Sequence, residues 1–177
     1  MEHPVLSAFL FFAFALLSVT LGPVTSVPLV PFGVIIWGEG LVFSLLLFGW
    51  VCGGLAAYFL GSFLGHPVVA RIIGDAQIAE WRDFVSSRRA FIPVLLFRFA
   101  MPAETGYIFG LFRYDIVKFM VITLVAEIPL AIGTVWASEA LISRNFLIFT
   151  LIIAVMISSF ILAGYLLNRI LRKNIAE

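Results

Sequence analysis

Two stretches of this chain are apolar enough for a membrane interior but too interrupted by proline and glycine to cross it as plain helices. The first runs from Pro23 to Gly40 and carries Pro23, Pro28, Pro31, Gly33, Gly38 and Gly40. The second runs from Pro93 to Gly110 and carries Pro93, Pro102, Gly106 and Gly110. Interrupted backbone leaves N–H and C=O groups unpaired, and hydrocarbon offers them no partner. Such segments persist at membrane depth only inside protein or against a wet cavity. A pair of them at matching places in two halves of a chain points to a transporter binding site.

Composition agrees with a membrane setting. The chain is 63% hydrophobic and 12% charged, with a mean hydropathy of +1.15. A soluble domain carries roughly twice that charged fraction. A net charge of +1 argues against nucleic-acid binding, which requires a basic patch. Cys52 is alone in an apolar run, so an intrachain disulfide is excluded and a small core residue is expected. The histidines, His3 and His66, lie far apart with no second cysteine, so neither a metal site nor a cofactor is expected. No Lys or Arg precedes the first apolar run and no A-x-A site follows it, which favours a mature transmembrane helix over a signal peptide.

The fold expected is an all-α polytopic membrane protein in a single membrane domain with about four transmembrane helices. Val5 to Leu21 just crosses a hydrocarbon core of roughly 30 Å. Residues 41–65, 116–137 and 145–168 supply the other spans. Residues 23–40 and 91–112 are read as re-entrant hairpins. Small residues at Gly53, Gly54 and Gly61 favour close helix approach, and His66-Pro67 is expected to stop or kink the second span. In the 71–89 linker, Ile78, Trp81, Phe84 and Val85 recur at helical spacing among charged residues, which predicts an interfacial helix.

Orientation follows from Lys and Arg in the short loops. The 71–89 linker holds Arg71, Arg82, Arg88 and Arg89; the C-terminal tail holds Arg169, Arg172 and Lys173; the 139–144 turn holds only Arg144. If each broken segment enters and leaves on one side, both basic regions face the cytoplasm. The first hairpin then dips from outside and the second from inside. Full crossings instead give six spans and put the two basic regions on opposite sides. The expected location is the plasma (inner) membrane with both termini cytoplasmic.

The second half resembles the DedA family, also called the VTT-domain or SNARE-associated family of integral membrane proteins. The stretch Arg98-Phe99-Ala100-Met101-Pro102-Ala103-Glu104-Thr105-Gly106-Tyr107-Ile108-Phe109-Gly110 resembles that family's R-F-x-P…T…G stretch. Phe119 and Ala126-Glu127-Ile128-Pro129 are similar to the following helix. Pro28 to Gly33 with Trp37-Gly38-Glu39-Gly40 resembles the first hairpin, and Tyr58 to Gly65 the Gly-rich helix end. The resemblance implies two oppositely oriented hairpins and movement of lipid (phospholipid or polyprenyl phosphate) between leaflets, with proton coupling as an added feature. Many bacterial members carry an acid in the first hairpin beside its prolines, where this chain has Thr25 and Ser26. Many carry a second arginine just after the hairpin proline, where this chain has Glu104.

Arg98 is the most informative residue. An arginine at membrane depth costs at least about 2.5–3.5 kcal/mol on insertion scales, so it needs partners or a wet cavity. Its planar fork suits a phosphate or carboxylate; the plainer role is to pin the hairpin through backbone carbonyls or Glu104. Pro102, Glu104 and Gly106 are expected beside it, and Gly38 and Glu39 at the exit of the first hairpin, as substrate-binding residues. Glu104 and Glu127 are the candidate proton-coupling groups; fixed hydrogen-bonded or ion-paired carboxylates are the alternative. No nucleophile and base stand at a recognisable spacing, so no enzymatic activity is expected. Membrane lipids are the expected partners, with self-association left open. The rival readings are a proton- or ion-coupled transporter of a small solute and a non-transporting membrane assembly or homeostasis factor.

The two topologies separate on one measurement. In a Cys52→Ala background, single cysteines placed in the 71–89 linker and beyond Lys173 should react with an impermeant thiol reagent from the same side. Labelling from opposite sides would establish six crossings.

Overall fold

The structure, a computed structural model, describes residues 4–21, 25–76, 78–79, 82, 91–100 and 105–175. Its elements are α1 (Pro4–Leu21), a 3-10 turn (Val27–Leu29), α2 (Val30–Trp37), α3 (Glu39–Ile73), α4 (Phe91–Ala100), α5 (Thr105–Leu111), α6 (Ile116–Ile142) and α7 (Phe146–Ile175). Among the described residues, four helices are long and apolar enough to cross a membrane: Pro4–Leu21, Glu39–Pro67, Ile116–Ile142 and Phe146–Arg169. The chain is thus all-helical with four candidate spans. Helix α2, at 8 residues, is too short to cross a bilayer, and the described parts of α4 and α5 run to 10 and 7 residues. Of the linker expected as an interfacial helix, residues 77, 80, 81 and 83–90 lie outside the described residues, Trp81, Phe84 and Val85 with them. Ile78 is helical and fully buried in a core cluster.

The breaks between helices follow from local chemistry. Gly38, at φ 77°, joins α2 to α3 in a conformation that costs little only without a side chain. Gly65 breaks α3 at φ 69°, just before Pro67. Proline removes a donor and crowds the carbonyl four residues back, so the positive φ at Gly65 provides the bend. The ends of α5 and α6 share one device. Arg113 N–H bonds the Gly110 carbonyl and Tyr114 N–H the Phe109 carbonyl; Arg144 N–H bonds Leu141 and Asn145 N–H bonds Ala140. This is the Schellman closure, with arginine at φ 50° and 57° where glycine is usual. Asp115 and Asn145 then cap the next helices, accepting from Lys118 N–H at 2.9 Å and Ile148 N–H at 3.3 Å. Burial, with the neighbouring Asp115 carboxylate, holds the Tyr114 phenol above its ordinary range, so this turn residue stays neutral.

The chain forms two compact units, Met1–Gly53 with Glu127–Ser159 and Gly54–Ala126 with Phe160–Glu177. In the first, Phe11, Ala15, Val30, Val34, Val42, Leu46, Trp50, Ala131 and Val135 form the core. Gly49 and Gly53 lie against α1: a Cβ at Gly49 would be 2.6 Å from Ala15 Cβ, and one at Gly53 would collide with the Leu16 carbonyl. Thr20 bonds both the Leu16 and Gly53 carbonyls.

In the second unit the core is aromatic, built on Tyr58, Phe97, Phe109 and Phe119. Tyr58 stacks on Phe119 with ring centroids 5.2 Å apart, and its hydroxyl donates to the Tyr114 carbonyl. Helix α5 presses on α3 through glycine. A Cβ at Gly106 would be 2.7 Å from Ala57 Cβ, one at Gly61 would fall on the Tyr107 carbonyl, and one at Gly110 on the Tyr58 carbonyl. Gly106 and Gly110 form a G-x-x-x-G pair, whose missing side chains let two backbones touch.

Gly61→Ala and Gly110→Ala should each destabilise the protein by about 1–3 kcal/mol, the cost of overpacking against rigid backbone. Gly40→Ala, with nothing within 4 Å of the added carbon, should be neutral or slightly stabilising. Thermal unfolding in detergent reads both.

Candidate functional site

Among the described residues, the largest fully buried side chain is Arg98, at 0% exposure. It lies in the last turn of α4. The C-terminal carbonyls of a helix carry partial negative charge, so a cation is favoured there. A guanidinium nitrogen, Nη1, donates to Thr105 Oγ1 at 2.6 Å. Thr105 is the first residue of α5 and is itself fully buried. A charge in the last turn of α4 thus meets a hydroxyl at the start of α5. A hydrogen bond to an ionised group is shorter and roughly twice as strong as a neutral one.

Gly54 of α3 is the floor under the guanidinium. A Cβ there would meet Arg98 Nη2 at 3.4 Å, Thr123 Cγ2 at 3.7 Å and the Phe119 ring at 4.0 Å. Thr123, on α6, is also fully buried. Its hydroxyl has no hydrogen-bond partner among the described residues. A buried hydroxyl without a partner costs about 1–3 kcal/mol. Elsewhere the helices satisfy their hydroxyls locally: Thr134, Ser138, Thr150 and Ser159 each donate to the carbonyl four residues back. Thr123 departs from that habit where it borders Gly54 together with Arg98, the arginine that is fully buried among the described residues.

The sequence-derived residues distribute as follows. Arg98 and Gly106 both border Gly54, since a Cβ at Gly106 would also lie 3.0 Å from the Gly54 carbonyl. Gly106 is therefore filled by helix packing. Pro102 and Glu104 lie outside the described residues. Gly38 and Glu39 belong to the other unit and are exposed, with Glu39 in the first turn of α3. A carboxylate there faces the partial positive charge of a helix N-terminus. Glu127 is 4% exposed in mid-α6, two residues before Pro129. Ser26, which with Thr25 stands where the resemblance leads one to expect an acid, is 2% exposed. It accepts from the Trp50 indole at 3.0 Å and from the Ser18 hydroxyl at 3.2 Å. A hydroxyl thus occupies that place and is held by neutral donors.

Sequence reasoning missed Thr105 and Thr123 as companions of Arg98. Hydroxyls are common in membrane helices, where bonding to the preceding turn makes them inexpensive. The available signal was positional: Thr105 opens the segment after the break that follows Arg98.

A family profile described as the VTT domain matches residues 6–140. No curated protein and no solved structure matches the chain.

Two isosteric changes should move stability in opposite directions. Thr105→Val deletes the acceptor of a buried charged donor and should cost about 1.5–3 kcal/mol. Thr123→Val deletes a hydroxyl that has no partner among the described residues and should be neutral or stabilising. Equal losses in thermal unfolding would contradict this assignment.

Proposed function

Because this chain belongs to the VTT-domain (DedA) family, we propose that it moves lipid between the leaflets of its membrane, with Arg98 receiving the oxyanion of the headgroup. The single observation that carries this reading is a fully buried guanidinium beside two fully buried hydroxyls, Thr105 and Thr123, one of them without a partner among the described residues. A phosphate or carboxylate suits that set. The guanidinium supplies parallel N–H donors, and a hydroxyl supplies one more. A headgroup oxygen would satisfy the Thr123 hydroxyl, which has no partner among the described residues. The acyl tails stay in hydrocarbon throughout, so the headgroup alone is transferred across the low-dielectric region.

In this reading the broken segments at 23–40 and 91–112 are re-entrant hairpins entering from opposite faces, and both termini lie in the cytoplasm of a cell whose plasma membrane holds the protein. Of their glycines, Gly33 packs against α1 and α3, and Gly106 and Gly110 against α3, the kind of shelter that backbone at membrane depth requires. Transport needs no covalent step and no cofactor. Glu127, buried in mid-α6, is the described carboxylate suited to exchange a proton during the cycle, with Glu104 as the second. A second copy of the chain is not required.

Reconstituted into proteoliposomes with a headgroup-labelled phospholipid, the wild-type protein should move lipid faster than protein-free vesicles. Arg98→Ala should fall to the protein-free rate. Thr123→Val, which keeps the fold, should slow transport roughly tenfold, about the worth of one hydrogen bond between charged and neutral groups. Wild-type movement at the protein-free rate rules the reading out. Loss of folding without loss of specific activity in Arg98→Ala assigns the arginine to structure alone.

A further inference from the structure

A second cleft lies in the other unit, at the turn joining α6 to α7. It has a volume of about 240 Å³ and is lined by Trp136, Glu139, Ser143, Asn145, Ile148 and Ile152, with Ala140 at its base. None of these residues takes part in the Arg98 cluster. The turn separates two candidate spans, Ile116–Ile142 and Phe146–Arg169, so it reaches the membrane surface. Trp136 is 58% exposed, the position of an indole at the headgroup level.

The chemistry of the lining selects one kind of ligand. Trp136 and Glu139 are three residues apart on one helix and so share a face. Glu139 is half-buried there and brings the only charge to the lining. Ser143 gives its proton to the Ala140 carbonyl at 3.2 Å, which leaves its lone pairs to accept. Asn145 Oδ1 is occupied by the Ile148 N–H at 3.3 Å, so its amide N–H groups are left as donors. Arg144 is exposed and is not part of the lining. An indole face beside a carboxylate attracts an organic ammonium, and the apolar wall of Ile148 and Ile152 suits what an ammonium headgroup is attached to.

The geometry points to an ammonium-binding site at this turn, which takes the amine of an ethanolamine- or choline-type headgroup against Trp136 and Glu139. The Asn145 amide is placed for the adjoining phosphate or ester oxygen. This site does not rest on the transport reading. It is a place where zwitterionic lipid is held at the surface, whichever role Arg98 has.

The test uses the full chain purified in detergent and exposed to equal amounts of phosphatidylethanolamine, phosphatidylcholine and phosphatidylglycerol with matched acyl chains. Retained lipid is counted by native mass spectrometry. The wild type should retain the two ammonium lipids over phosphatidylglycerol by about fivefold, the scale of an exposed cation–π contact with a surface charge pair. Trp136→Leu and Glu139→Gln should each remove most of that preference. Both positions are at least partly solvent- or lipid-facing, so unchanged melting temperatures are expected and confirm that the fold is kept. Competition with ethanolamine or choline chloride then separates the sources. Displacement of retained lipid by the free amines assigns the site to soluble ammonium compounds, and retention assigns it to the lipid headgroup. Equal retention of all three lipids, or a preference unchanged in both variants, overturns the proposal.

Discussion

The contact on which the second unit turns is the bond from the Arg98 guanidinium to the Thr105 hydroxyl at 2.6 Å. A charge removed from water must be met by dipoles fixed in place, because nothing in an apolar interior reorients to meet it. Three features meet it here. The carbonyl end of α4 supplies partial negative charge, α5 begins with the hydroxyl that accepts, and Gly54 leaves the room the fork needs. Each depends on the next. Were α5 a residue out of register, Thr105 would leave the guanidinium. A Cβ at Gly54 would make ordinary contact with the fork at 3.4 Å and the Thr123 methyl at 3.7 Å, so a side chain reaching beyond Cβ would displace them. The glycines of α5 hold that register, since Gly106 and Gly110 allow only one depth of approach to α3.

A second constraint explains the rest of the polar inventory. In hydrocarbon every N–H, C=O and hydroxyl must find a partner within the protein. The helices obey by returning Ser and Thr hydroxyls to the preceding turn, and the helix ends obey through the two Schellman closures and the Asp115 and Asn145 caps. In the first unit, the Trp50 indole and the Ser18 hydroxyl both donate to Ser26. Among the described residues the Trp37 indole N–H and the Thr123 hydroxyl depart from this rule, and of the two it is Thr123 that shares the Gly54 surface with Arg98.

Much of this was legible in the sequence, for physical reasons. The spans were readable because apolar runs near 20 residues have one solution in a bilayer. Arg98 was readable because a lone charge in such a run is costly. The bend near His66-Pro67 was readable from proline's missing donor, although the positive φ falls at Gly65. What could not be read depends on which backbones touch. Gly106 was expected beside Arg98, but that it packs against Ala57 could not be read from the sequence. Thr105 and Thr123 are far apart along the chain and converge only through helix packing. Arg113 and Arg144 hid two helix ends, since arginine gives no hint of the left-handed conformation that glycine would have announced.

Stability alone gives a poor account of Arg98. Where a buried charge and its partners are replaced together by packed apolar side chains of similar volume, stability is commonly unchanged or improved. A leucine at position 98 and valines at 105 and 123 would join the aromatic core of Phe97, Phe109 and Phe119 without any polar group to satisfy. A purely structural site would also be expected to complete its own hydrogen bonds. Near Arg98 the Thr123 hydroxyl has no partner among the described residues, and in the proposed reading a headgroup oxygen supplies it, which is the argument for a visiting headgroup over a fixed strut.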